Sequence, residues 1–203
     1  MSTYSDMQAR IADEMARTDL TNQIQLAILS AINFYKDERF WFNEGEVTFN
    51  TIIGLDHQIV PTTFGEVDEI TVTVSGNRYV MDLVSYDYIR VQVSQQTLMG
   101  QPERAAIFEE DIWYDPIPDR VYPIILSGLI YFATLSGASD SNVWTNEAES
   151  LIRCRAKSIL YTHVTRNDKM AAAMDARESR HLAKLRQKTV QRTAASKLKA
   201  MRF

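Results

Sequence analysis

With 203 residues, 45% of them hydrophobic and 24% charged, the chain can bury a real core, which excludes wholesale disorder. Its single cysteine excludes an intramolecular disulfide framework and any cysteine-rich zinc module. The net charge of −4 is unevenly divided: residues 177–203 carry nine Lys or Arg and one acid, leaving about −12 on the residues before them, a division that marks the end of the chain as an interaction segment.

The N-terminus, Met1 to Asp6, is polar and lacks the basic-then-apolar run of a secretory signal. The longest mostly apolar run, Ile124 to Ala138, is too short to cross a bilayer. A soluble protein of a reducing compartment, without a membrane partner, is expected.

Taken in order, Ser5 with Gln8 reads as a capping box for a helix over 5–16, with Met7, Ile11 and Met15 on one face. A second helix spans 21–40, since Leu20, Ile24, Ile28, Ala31 and Tyr35 recur at helical spacing. It ends in the aromatic knot Phe40-Trp41-Phe42, expected in the core or, where exposed, at a subunit interface, and Trp144 is assigned the same alternatives. Three hairpins follow within about 46–116. Val47 to Ile53 returns as Gln58 to Val60 around Gly54, Ile70 to Val74 returns as Tyr79 to Met81 around Gly76, and Ala105 to Phe108 returns as Ile112 to Tyr114 around Glu109-Glu110-Asp111. Between the last two, residues 86–93 alternate like a strand, yet Ser85 reads as a helix cap.

Asp119 is expected to cap an apolar helix over 119–137, and Thr145 another over 145–163. No glycine or proline occurs after Gly137, so the remainder should be almost wholly helical. Asp168 is expected to cap a final helix, whose thin apolar stripe (Met170, Met174, Leu182, Leu185) would bury little against its own body. The fold class read from this pattern is α+β: mainly a helical bundle with an inserted hairpin-rich β region. Residues 1–165 would form the body and 166–203 a basic helical tail.

The pattern gives no chemistry to group. Cys154 and His163 point to opposite faces of one predicted helix and cannot pair as nucleophile and base within it. His57, His163 and His181 share no metal-ligand spacing. Glu109-Glu110-Asp111 reads as a solvated turn rather than a hard-metal site. No window approaches a glycine-rich phosphate loop. The chain is therefore expected to have no catalytic, metal or cofactor site and not to be an enzyme.

The run Asp19-Leu20-Thr21 through Ala31-Ile32 and Tyr35 into Glu38-Arg39-Phe40-Trp41-Phe42-Asn43-Glu44 resembles the opening of head-to-tail adaptor (head-completion, connector) proteins of tailed bacteriophages. Gly100-Gln101-Pro102 with the hairpin to Asp115-Pro116-Ile117-Pro118-Asp119, then Ser141-Asn142-Val143-Trp144-Thr145, then the helix carrying Leu151-Ile152, resemble the same family in series. The likeness covers about residues 3–180. It departs at Glu109-Glu110-Asp111, where a Gly-Asn type tip is expected, and it favours helix for the segment after Ser85.

The resemblance implies a structural virion protein at the head–tail interface, assembled in the host cytoplasm. Its partners would be other copies of itself in a ring of twelve, the portal protein, and a tail, nozzle or next connector protein, with genomic DNA passing through without sequence-specific binding. It also implies that the C-terminal tail docks on the portal. Leu182, Lys184, Leu185, Arg186, Lys188 and Arg192 are assigned to that contact, the leucines as apolar anchors and the cations for steering. An acidic body would repel phosphate and let DNA slide. The alternative is a nucleic-acid-binding protein that uses the basic tail, although no aromatic precedes Phe203 there to stack a base.

Overall fold

The structure, a computed structural model, describes residues 1–95 and 98–200, and the side chains outside 93–97 and 193–203. In chain order the helices are α1 (Tyr4–Met15), α2 (Thr21–Tyr35), α3 (Tyr86–Gln95), α4 (Val143–Asn146), α5 (Glu149–His163) and α6 (Asp168–Ala200). The strands are β1 (Glu44–Asn50), β2 (His57–Ile59), β3 (Phe64–Val74), β4 (Asn77–Val80), β5 (Asp82–Leu83), β6 (Met99–Gly100), β7 (Arg104–Phe108), β8 (Asp111–Asp115), β9 (Ile117–Pro118) and β10 (Pro123–Ile130). The fold is α+β. Its contacts divide it into a helical unit, Met1–Asn43 with the chain from Phe132 onward, and a β unit, Glu44–Tyr131.

In the helical unit, α1 opens on a capping box two residues earlier than predicted. The Thr3 hydroxyl accepts from the Asp6 backbone N–H at 3.1 Å, and the Asp6 carboxylate accepts from the Thr3 N–H at 2.9 Å. A carboxylate accepts more strongly than the Gln8 amide would, so Thr3 and Asp6 take the cap. Tyr4, Met7 and Ile11 are then buried against α2, which contributes Ile24, Ala27, Ile28, Ala31 and Tyr35. Helix α2 ends at Tyr35, not at residue 40. The Asn43 side chain accepts from Phe40 N at 2.7 Å and donates to Glu38 O at 2.8 Å, offering the backbone a turn in place of helix. That turn buries Phe40, stacks it on Phe42 with centroids 5.1 Å apart, and sets Trp144 edge-on to both rings.

Asn142, not Thr145, caps the next helical segment. Its side chain accepts from Trp144 N at 3.0 Å, while Thr145 sits inside the first turn and donates to Asn142 O at 2.9 Å. Short α4 turns directly into α5, whose Leu151, Ile152, Ala156 and Leu160 complete the same core. Asn167 rather than Asp168 caps α6, accepting from Met170 N at 3.1 Å.

The β unit departs furthest from expectation. The stretch read as a helix over 119–137 is strand β10, and Asp119 caps nothing: its carboxylate accepts from the Tyr122 hydroxyl at 2.6 Å. Strand β10 is one of the two inner strands, with β3, of a four-stranded antiparallel sheet ordered β1-β10-β3-β4. A strand buried on both faces shows a continuous apolar run, which periodicity alone does not separate from a buried helix. Gly128 marks the choice. A Cβ there would stand 2.1 Å from the Glu66 carbonyl oxygen of β3, beside a register shift between Ser127 and Gly128.

The hairpin predicted around Gly54 does not form. Strand β1 pairs with β10 and β2 with β8, so the chain changes sheet between them. The other two hairpins form as β3–β4 and β7–β8. The first turns at Ser75 and Gly76, both at positive φ, as a twisted two-residue turn requires. The second turns at Glu109, also at positive φ, so the family's expected glycine is replaced by a residue held left-handed. The second sheet runs β2-β8-β7-β5, and β6 pairs with β9. Residues 86–95 are helix: the Ser85 hydroxyl accepts from Tyr88 N at 3.3 Å, and Ile89 is buried. Ile70, Val72, Ile112, Tyr114, Ile124 and Leu126 form the centre of this unit's core.

Candidate functional site

Helix α6 holds most of the residues assigned to a function. Its inward stripe is Ala171, Met174, Glu178 and Leu185, all buried, with His181, Leu182 and Thr189 half-buried between and after them. Spacings of three and four residues put these on one side, packed on α5 and the end of α2. The predicted stripe was therefore too thin: Met170 is exposed, and the buried small and polar residues Ala171 and Glu178 complete the face. The helix does bury itself against its own unit. Leu185 is 6% exposed and Leu182 packs against the same core, so both are occupied within the chain.

Polar contacts hold the stripe in place. The Tyr35 hydroxyl donates to the buried Glu178 carboxylate, and the Arg155 guanidinium stands 3.5 Å from the same oxygen. Burial, and then that carboxylate, push the Tyr35 hydroxyl pKa up. Farther along, the Arg186 guanidinium donates two hydrogen bonds to Glu38, at 2.7 and 3.0 Å. Lys188 and Arg192 lie over the Trp41 ring at 5.6 and 4.7 Å, and the Thr189 hydroxyl accepts from Trp41 N at 3.2 Å. Trp41, half-buried in the aromatic knot, is thus the seat of the basic helix, a role its sequence did not reveal.

The exposed surface of α6 is basic: Arg177, Arg180 and Lys184 face outward, and Arg186, Lys188 and Arg192 are exposed at its edges, where they contact Glu38 and Trp41. Of the six residues assigned to docking, the four cations are exposed, three of them in contact with Glu38 or Trp41, and the two leucines pack inward. Beneath it, α1 and α5 are joined by charge pairs, with Arg153 and Lys157 both on Glu14, and Arg10 and Arg153 both on Glu149. Half-buried His181 sits nearby; burial first, then Lys184, Arg153, Arg177 and Lys157, hold its pKa below 6.5.

The residues considered for chemistry lie apart. Cys154 is buried in α5, its thiol pKa raised by burial, and His163 is exposed at the end of the helix. His57 stacks on Trp113 in the β unit and contacts Asp56 at 2.7 Å. Glu109 and Glu110 form the β7–β8 turn. Among the described residues, no group of three His, Cys, Asp or Glu is placed to hold a metal ion, and no helix is long and apolar enough to cross a membrane.

An open groove of about 520 Å³ runs between the end of α2 and α6, lined by Phe34, Tyr35, Asp37, Glu38, Glu178, Ser179, Leu182 and Arg186. Beyond these surfaces, comparison supplies a family: the model described as SU10 adaptor protein matches residues 2–200. No curated protein matches the chain.

Proposed function

The chain belongs to the SU10 adaptor protein family of phage head-to-tail adaptors, and from that premise we propose that its copies, twelve in number, form a ring beneath the portal vertex, where the ring extends the DNA channel and offers a surface to the tail. The exposed basic surface of α6 is the portal-docking surface, with Lys184, Arg186, Lys188 and Arg192 making the contact. Leu182 and Leu185 act from beneath by fixing the helix on its own unit rather than by entering the portal.

The observation that carries this reading is the two-sidedness of α6. One side is locked by Met174, Leu185 and the Glu178 contacts; the other exposes Arg177, Arg180 and Lys184, while Arg186, Lys188 and Arg192 stand exposed at its edges against Glu38 and Trp41. A helix held rigid along one side, with exposed cations already ordered at its edges, loses little conformational entropy on docking, and multiple copies multiply a weak contact. DNA binding through the same cations is disfavoured by Trp41. The aromatic nearest the basic side is covered by Lys188 and Arg192 and offers no open ring for stacking a base.

The test is binding of the full chain to the isolated portal of the same phage, measured beside Lys184→Glu/Lys188→Glu. The reading predicts at least about a tenfold loss of affinity with the fold unchanged, since truncating or reversing docking charges costs on the order of a kcal/mol or more. Unchanged portal affinity in that variant would remove α6 from the contact.

A further inference from the structure

Both edges of the sheet β1-β10-β3-β4 are open. Hydrogen-bonded and non-bonded pairs alternate along an antiparallel ladder, so one bonded pair fixes the direction of every backbone group in a strand. The Thr51 N–H donates to Tyr122 O at 2.9 Å. By that alternation Gly45, Val47 and Phe49 bond to β10, while Glu44, Glu46 and Thr48 turn their N–H and C=O groups away from it. Asn50 O, turned the same way, is met by the Gln58 amide at 3.2 Å. On the other edge, the Met81 N–H donates to Ile70 O at 2.8 Å, so Tyr79 bonds to β3 and Arg78 and Val80 turn outward. Among the described residues, no hydrogen bond meets the outward backbone groups of Glu44, Glu46, Thr48, Arg78 or Val80. Unpaired edges template further pairing, and no proline stands in either strand to prevent it.

The core side of the sheet is unfinished at the same two edges. One row crosses all four strands: Phe49 lies opposite Ile124, Ile124 opposite Val72, and Val72 opposite Tyr79. Its middle members are 0% and 1% exposed, but Tyr79 is 47% exposed and Phe49 is half-buried. Val80, next to Tyr79, is 64% exposed. Charge is not what these edges lack, because Arg78 already stands 3.7 Å from Glu46 of its own chain. They lack a strand: backbone groups to meet Arg78 and Val80, and an apolar side chain to lie beside Tyr79.

We propose that β4 of one copy pairs with β1 of the next. Every neighbouring pair in the sheet is antiparallel, so β1 and β4 run in opposite directions. A second sheet set beside the first in the same orientation therefore adds one more antiparallel pair, and core side continues core side. Arg78 bonds to Thr48 of the next copy and Val80 to its Glu46, which places Tyr79 opposite its Val47 and diagonal to its Phe49. The contact joins two different edges, so it is heterologous, and contacts of that kind generate rings when the rotation closes. The inference rests on the ring reading and assigns the subunit contact to the β unit, apart from α6.

The experiment oxidises the full chain carrying Val47→Cys and Tyr79→Cys with diamide, with and without the portal, and reads a non-reducing gel. A non-bonded antiparallel pair brings its Cα atoms close enough for a disulfide. Within one chain the two positions stand three strand spacings apart, roughly 14 Å, beyond that reach. Cys154 is buried in α5 and outside the contact. A ladder of covalent multimers is expected from the double variant and none from either single variant. Val80→Pro removes an outward N–H but no bond to β3, and should abolish the ladder, whereas Val80→Thr keeps the N–H and should retain it. No ladder under either condition, or a ladder unaffected by Val80→Pro, overturns the proposal. Dimers from Tyr79→Cys alone also overturn it, since they place β4 against β4 across a two-fold axis. Portal binding of the wild type is scored separately by electron microscopy. Well-formed rings without a ladder remove this strand contact alone, and a ladder with bare portals removes the portal docking and leaves the strand contact.

Discussion

Gly128 and Gly76 separate two reasons for a glycine. At Gly128 a side chain would meet backbone, the Glu66 carbonyl oxygen 2.1 Å away, whereas at Gly76 nothing lies within 4 Å and only the positive φ disfavours a side chain. Gly128→Ala should cost about 3 kcal/mol, because two strands must separate, and Gly76→Ala only about 1 kcal/mol. Urea midpoints of the two variants check the order. Equal losses would mean that β10 does not approach β3 as described. His181 provides the pH dependence at this scale. Its folded pKa lies below 6.5 because of burial and the cations around it. The unfolded chain therefore binds a proton at higher pH than the folded chain does. This stability is fully present above the unfolded value and is lost as pH falls through it towards the folded value. Between about pH 7.5 and pH 5, the denaturant midpoint of the wild type should fall more than that of His181→Gln. A slope unchanged by the substitution would contradict the assignment.

Among the elements, α6 makes the sharpest prediction, because its inward and outward sides differ. Leu185→Ala should destabilise the helical unit by roughly 2 to 3 kcal/mol, while Val190→Ala, 68% exposed, should stay within about 0.5 kcal/mol. Thermal unfolding read by circular dichroism distinguishes them. Equal, small effects would return α6 to a free tail. The helices of this unit were legible because period is a local signal: Leu20 through Tyr35 announce the buried face of α2 one turn at a time. Caps were legible only to within a few residues, since Thr3 and Ser5, or Asn142 and Thr145, offer rival oxygens and the neighbouring side chain decides. Strand β10 was not legible, because Ile124 to Leu126 are buried between β1 and β3, and neither neighbour is near them in sequence. Strand pairing across such distances leaves no periodic trace in the strand itself. The failed hairpin at Gly54 has the same origin: a turn residue marks a change of direction but not the sheet that receives the next strand.

For the whole molecule, the sequence division into an acidic body and basic end corresponds to no detached arm, because α6 packs into the helical unit and uses part of its charge to hold itself there. That arrangement could not be read from composition. The locking contacts join Tyr35 to Glu178, Glu38 to Arg186 and Trp41 to Arg192, pairs more than 140 positions apart. What the sequence did carry at this scale was the series of turn and packing motifs from Asp19 to Ile152, and the family match over residues 2–200 agrees with it. The central claim is a ring docked on the portal through the outward side of α6. Electron microscopy of the full chain mixed with the portal of the same phage tests it most directly. The account predicts a twelve-fold ring stacked on the portal, with α6 at the contact and its cations facing portal density. A well-folded protein that leaves the portal bare, or a ring that meets the portal through the β unit with α6 turned away, would contradict it.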